Sequence, residues 1–340
     1  MNNYIPFLKL KSNEILAIKE LEAELQEEIT PFFDFPQKKE NFTEDTFKNT
    51  TGTMVRSLRR HLGNISNFYL DNFDIDSDLE IDGINNYGYL LKSFSGCPVI
   101  PVVAIDRCQD HIDSVRDAKN SGVIDSEVCA LRLVPEDFEN FDVISDDIDS
   151  MIGEVFEAFD NIDLIFDCRL CLGHNLDKLA LNISNFAKKF SASYTTRKLI
   201  VTGSSIPASI SDITGVENEV EFLRAELRIF NSVNNEIGDL YNIVLGDYGI
   251  VSPNYSDLDI IPEAMLNVTA PKILYAFDNY QYVIRGGAIR THPRGFAQYF
   301  DLAEILVAKD FFRRNLSMTL RHFRQQFSVS PDRFFQVPVC

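Results

Sequence analysis

The chain is short of positive charge: 32 Lys and Arg against 51 Asp and Glu leave a formal net charge of −19. Phosphate backbones are bound chiefly by Lys and Arg, so this balance disfavours nucleic acid as a partner. No stretch approaches the roughly 18–20 continuous apolar residues that span a bilayer, which excludes a hydrophobic membrane helix. The opening MNNYIPFLKLKSNE has no basic leader followed by an apolar run and a small-residue cleavage site, so the expected location is the cytoplasm. Six cysteines in 340 residues are too sparse for a disulfide framework. Cys168 and Cys171 form a CxxC, but neither a second CxxC nor a His pair at zinc spacing accompanies it, so packing is the expected role. The five histidines, His61, His111, His174, His292 and His322, form no HxH, and no P-loop, GxSxG or GxGxxG is present. No cofactor can therefore be named, and no metal site is expected.

What the chain does contain is a rhythm of eight apolar segments, most followed by a stretch with helical apolar spacing. The segments are Tyr4–Lys11, Ile29–Phe35, Asn67–Phe73, Cys97–Arg107, Glu127–Val134, Ile162–Arg169, Lys198–Ser205 and Tyr241–Tyr248. Crossover helices between parallel strands produce this alternation, and eight repeats favour a closed (β/α)8 barrel over an open doubly wound sheet. With 45% hydrophobic residues the chain can bury one large core. We expect a single barrel domain over residues 1–312. Residues 313–340 form a basic C-terminal extension, carrying Arg313, Arg314, Arg321, His322, Arg324 and Arg333, that packs on the barrel or on a partner. The segment Ile273–Gly287 alternates apolar residues around Asp278-Asn279 and predicts an extra hairpin decorating the barrel mouth.

Barrel chemistry belongs at the C-terminal ends of the strands. There the sequence supplies Lys9 and Lys11, Asp34, Asp71, Asp106 with Arg107, Arg132, Asp167 with Arg169, Ser204 with Ser205, and Asp247 with Tyr248. Period-two alternation puts Ile5, Phe7, Lys9 and Lys11 on one face of the first strand, apolar below and cationic at the mouth. The candidate catalytic set is Lys11, Asp71, Asp167 and Asp247, the lysine as a cation or Schiff-base amine and the carboxylates as acid, base or metal ligand. The candidate ligand-binding set is Lys9, Asp34, Arg132, Ser204, Ser205, Tyr248 and Arg285. Ser204 and Ser205 would form an anion cradle, and Arg285 a bidentate clamp on a carboxylate or phosphate. The alternative for each is structural: an Asp capping the next helix, or an ion pair closing the barrel. The seventh strand ends Thr202-Gly203-Ser204-Ser205, so the fourth-and-seventh-strand carboxylate pair of many glycosidases is absent. The alternating carboxylates of Asp71–Asp82 read as a solvated acidic loop; the EF-hand pattern fails, with Leu79 where Gly is needed and Asn85 where Glu is needed.

Several of these segments also carry a resemblance. Tyr4–Lys11 with Glu14, Ile29–Pro36, Cys129-Ala130-Leu131-Arg132-Leu133, Gly203–Pro207, Gly246-Asp247-Tyr248 and Tyr282–Gly287 resemble, in order and spacing, the beta family proteins of bacteria and phages, over roughly Tyr4 to Phe312. Where relatives tend to carry Glu in the second-strand motif, this chain has Asp34. The resemblance implies a setting among bacterial genes in conflict with phages and implies no particular reaction. Three functions follow as expectations: a defence component recognising a ligand or protein partner at a polar mouth, a hydrolase or lyase acting on a phosphorylated or anionic small molecule, or a scaffold subunit of a defence complex.

Overall fold

The computed structural model describes residues 4–37, 41–63, 65–254 and 269–312. The basic extension expected at 313–340 lies outside them. The described residues form two compact units, one of residues up to 203 with 226–249, the other of 204–225 with residues from 250 on.

In the first unit each of the eight apolar segments is a barrel strand. In chain order the strands are β1 (Tyr4–Lys9), β2 (Phe32–Asp34), β3 (Phe68–Asp71), a small antiparallel pair β4 (Glu80–Ile81) and β5 (Ile84–Asn85), then β6 (Val99–Val103), β7 (Val128–Leu133), β8 (Asn161–Leu170), β9 (Thr196–Ser204) and, after β10 (Glu219–Leu223) of the second unit, β11 (Ile243–Asp247). The sheet closes in the order β1-β11-β9-β8-β7-β6-β3-β2, with β1 parallel to both β11 and β2. Strands buried on both faces need apolar residues at consecutive positions, and all six residues of β7, Val-Cys-Ala-Leu-Arg-Leu, are buried. Helices cover the outside, among them Glu44–His61, whose N-terminus is closed by a reciprocal Thr43–Thr46 capping box, and Leu176–Ser193, capped by Asn175. No helix among the described residues is long and apolar enough to cross a membrane.

Register decides which side chains meet inside. Phe7 pairs with Phe32 and Phe32 with Tyr69; one step toward the mouth on the same faces, Lys9 pairs with Asp34 and Asp34 with Asp71. The lower row is aromatic, with the Phe7 and Phe32 rings stacked 4.2 Å apart and Tyr69 at 5.8 Å from Phe32. Gly246 on β11 makes room for it: a Cβ there would lie 2.9 Å from Phe7 Cε2 and 3.1 Å from the Ile5 carbonyl. Beneath this row Asp163 is fully buried, accepting 2.7 Å from Tyr69 Oη and 2.9 Å from Arg197 Nε.

The barrel wall is irregular between β3 and β6. β6 carries Pro101, which has no N–H to donate where it lies opposite Leu70. Tyr87, on the covering helix Asn86–Ser93, reaches into the seam: its hydroxyl donates to the Leu70 carbonyl at 2.6 Å and accepts from Val102 N at 2.8 Å. Its ring stacks on His111 at 4.1 Å, and His111 Nε2 meets the Val102 carbonyl at 3.1 Å. Burial pushes the His111 imidazole down to about 3, so it stays neutral.

In the second unit β12 (Lys272–Phe277) and β13 (Tyr280–Arg285) form the expected hairpin, with β10 added beside β13 in an antiparallel sheet. Asp278 takes the left-handed φ of +44° that the two-residue turn requires. Alternate side chains feed two apolar clusters: Leu274 and Val283 pack with Ile206 and Ile210, while Tyr275, Tyr282 and Ile284 pack with Leu302 and Leu306 of the helix Gln298–Val307.

Candidate functional site

The upper row of the barrel is organised by one side chain. Arg132, projecting inward from β7, is completely buried, and its guanidinium gathers carboxylates from three other strands. Nη1 donates to Asp34 Oδ1 at 3.1 Å and Asp71 Oδ2 at 2.7 Å. Nε and Nη2 both reach Asp167 Oδ2, at 3.1 and 2.6 Å, and Nη2 also lies 2.9 Å from Tyr248 Oη. Tyr248 in turn donates to Asp167 Oδ2 at 2.5 Å. Lys9 binds Asp34 at 3.2 Å and Asp74 at 2.5 Å. Arg107 reaches Asp71 at 3.4 Å, and Arg169 lies 4.0 Å from Asp167 and 3.4 Å from Tyr248 Oη. Four cations, Lys9, Arg107, Arg132 and Arg169, thus face Asp34, Asp71, Asp74 and Asp167, and Arg107 is shared with the more exposed Asp106 at 2.9 Å.

Burial penalises every charge in this set, so their mutual attraction has to outweigh desolvation. For Asp34 burial opposes ionisation, yet Arg132 first and Lys9 second hold the carboxyl well below the ordinary aspartate range. Burial likewise opposes the Arg132 cation, and Asp34, Tyr248, Asp167 and Asp71 more than reverse it. The Tyr248 phenol is pushed well above its usual value by burial and then by Asp167, so it remains a proton donor.

An aromatic ring closes the row from the loop side. Phe73, just beyond β3, has the guanidinium carbons of Arg132, Arg169 and Arg107 at 4.3, 4.4 and 5.0 Å from its ring centre, and Arg132 also lies 5.2 Å from the Phe32 ring. Phe73 and the neighbouring Asp74 also wall a cavity of about 580 Å3 with Gln37, Asn41 and Phe42. Arg132, Asp34, Asp71 and Asp167 do not line it.

Of the candidate residues, Lys9, Asp34, Asp71, Arg132, Asp167 and Tyr248 are brought together. Lys11 is exposed at the residue preceding the helix Ser12–Lys19, where partial desolvation lowers its pKa, Glu14 opposing the shift and Lys9 adding to it. Burial raises the Glu14 carboxyl to about 7 against the pull of Lys11. Asp247 accepts from Tyr4 Oη at 2.6 Å and from Gly249 N at 2.7 Å. Ser204, Ser205 and Arg285 belong to the second unit. There Ser204 Oγ donates to the Val251 carbonyl, Ser205 Oγ accepts from Ala225 N, and Arg285 Nη1 donates to the Thr214 carbonyl at 2.5 Å. Phe73 and Asp74 lie outside both candidate sets. The only signal for Phe73 was its place at the end of the third apolar segment, and Asp74 read as solvated because its neighbours in sequence are acidic.

Fold and site define a closed parallel (β/α)8 barrel whose mouth is a buried Arg–carboxylate lattice under an aromatic cap. The family profile described as Beta protein matches residues 4–319, and the chain belongs to that family. No curated protein matches it. Among solved structures it is similar to a chain from a study of two fungal β-1,4-galactanases, at 11% identity over 77% of this chain and 84% of that one, TM-score 0.35. It is also similar to a GH30 endoxylanase from Clostridium papyrosolvens C71, at 10% identity over 73% and 65%, TM-score 0.36. Neither likeness carries an activity to this chain.

Proposed function

We propose that this protein is a recognition barrel, binding a ligand or a protein partner at the Phe73 side of its mouth, in the phage-defence setting that the family resemblance implies. One observation carries the reading: a cavity beside the mouth, among the described residues, is walled by Phe73 and Asp74, whereas Asp34, Asp71 and Asp167, the carboxylates a hydrolase would use, are bound to Arg132 and do not line it. A carboxylate fixed by a buried guanidinium is stabilised in its ionised form and is a poor proton donor. The second reading, hydrolysis or elimination on an anionic small molecule, would use Tyr248 as the acid, since burial keeps its proton on the phenol beside Asp167.

Incubation of the purified protein with a small-molecule cell extract, followed by NMR, separates the two. Recognition gives saturable broadening of particular resonances that persist with time and is lost in Phe73→Ala. Time-dependent loss of a resonance, abolished by Asp167→Asn, refutes it in favour of catalysis.

A further inference from the structure

The second unit holds a cavity of its own, of about 340 Å3, in the size range of small-molecule sites. Its floor is the Gly286-Gly287 pair at the end of β13, and both glycines are there because other groups close in. A Cβ at Gly286 would lie 2.6 Å from Gln298 Oε1, and one at Gly287 would lie 3.0 Å from Glu217 Oε1 and 3.1 Å from His292 Cδ2. Gln298, almost fully buried, locks this floor by accepting from Gly287 N at 2.8 Å and donating to the Gly287 and Gly295 carbonyls. Glu217 holds a left-handed φ of +53°, a conformation costly for a residue with a side chain.

The charges lining the cavity divide into spent and unspent. Asp301 is taken by Arg294 through two bonds of 2.8 and 2.7 Å, and Glu219 by Lys309 at 2.6 Å. His292 Nδ1 accepts from Arg294 N at 3.2 Å. Glu217 and Arg285 make no ion pair among the described residues, with each other or with a third group. Arg285 has only the Thr214 carbonyl on Nη1, and its Nε is buried without a partner. Burial accordingly lowers the Arg285 pKa. A half-buried cation, Arg285, and an exposed carboxylate, Glu217, neither held in an ion pair among the described residues, therefore line a common space, with Ile284, Leu302 and Ile305 as its aliphatic part and Asn218 beside the paired Glu219 and Asp301 as its polar part.

We propose that this cavity binds an aliphatic α-amino acid as its zwitterion, the carboxylate on Arg285, the ammonium on Glu217 and the side chain against Leu302 and Ile305. The site shares no lining residue with the Phe73 cavity and stands or falls without the reading of the barrel mouth.

Calorimetric titration of the full chain with L-leucine, L-leucinamide and 4-methylpentanoate tests the assignment. L-Leucine is expected to bind at least about 10-fold more tightly than either analogue, the worth of one charge-assisted hydrogen bond. Glu217→Gln should erase the advantage of leucine over 4-methylpentanoate, which has no ammonium. Arg285→Gln should erase its advantage over leucinamide, which has no carboxylate. Should Arg285→Gln fail to fold once its Thr214 contact is lost, the analogue series and Glu217→Gln decide alone. No heat of binding for L-leucine at millimolar concentration, or equal affinity for all three compounds, overturns the proposal.

Discussion

Replacing Arg132 with Met tests the reasoning about the barrel mouth most directly, because the side-chain volume is roughly kept while the charge and the donors are removed. Asp34, Asp71 and Asp167 then remain buried, with Lys9 the only close cation for Asp34 and Arg107 a distant one, at 3.4 Å, for Asp71. Removing one partner from a buried ion pair costs about 3–5 kcal/mol, and here one guanidinium serves three carboxylates, so the upper part of that range is expected at neutral pH. In a chain of this size that is a fall in Tm of roughly 10 °C. The pH dependence supplies the sharper signature. In the wild type the Asp34 pKa is depressed below its unfolded value of about 3.9, so its contribution is present above that pH and is lost as the pH falls. In Arg132→Met desolvation prevails and folded-state carboxyl pKa values lie above the unfolded value. The folded state then binds protons more tightly than the unfolded state, and the variant loses stability as the pH rises. Urea denaturation at a series of pH values measures both slopes. Adding Asp167→Asn and Asp71→Asn to Arg132→Met should recover part of the loss, since the buried charges left behind are then removed. A cost under about 1 kcal/mol at neutral pH, or a variant whose pH slope has the wild-type sign, would refute the account of a lattice held by Arg132.

Three further outcomes are expected. Tyr87→Phe keeps the ring on His111 but orphans the Leu70 carbonyl and the Val102 N–H, at about 1–3 kcal/mol for each buried group, and hydrogen exchange of the Val102 amide should accelerate. The depressed pKa of His111 makes its contribution present above the unfolded value of about 6.5 and lost as the pH falls below it; His111→Gln should flatten stability against pH in that range, as read by chemical denaturation. Gly246→Ala drives a methyl against Phe7 and the Ile5 carbonyl and should cost about 1–3 kcal/mol by over-packing, measured as a lowered Tm.

Phe73 and the seam at Tyr87 carry no local signature in the sequence. An aromatic at the end of a strand looks the same whether it enters the core, covers a helix or caps three guanidiniums. Tyr87 lies in a helix with ordinary apolar spacing, and nothing local announces that its hydroxyl replaces a ladder bond beside Pro101. The second unit was equally opaque: the hairpin at 273–287 was legible from alternation and its Asp278-Asn279 turn, but β10, with only five residues and a charged alternate face, was not. Arg285 was legible as an anion clamp, while its company in the cavity, Glu217 and His292, is separated from it by 68 and 7 positions (285 − 217 and 292 − 285).

The sequence by itself determined the eight strands and the polar residue at the end of most of them, because strand burial and side-chain alternation are periodic properties of a local stretch. Only the tertiary structure decided that Asp34, Asp71 and Asp167 turn to a single Arg132, because that convergence exists only once the barrel closes and register sets Lys9 beside Asp34 and Asp34 beside Asp71. Whether a strand-end carboxylate is a free acid or a locked counter-ion depends on distances of a few ångströms between strands far apart in the chain.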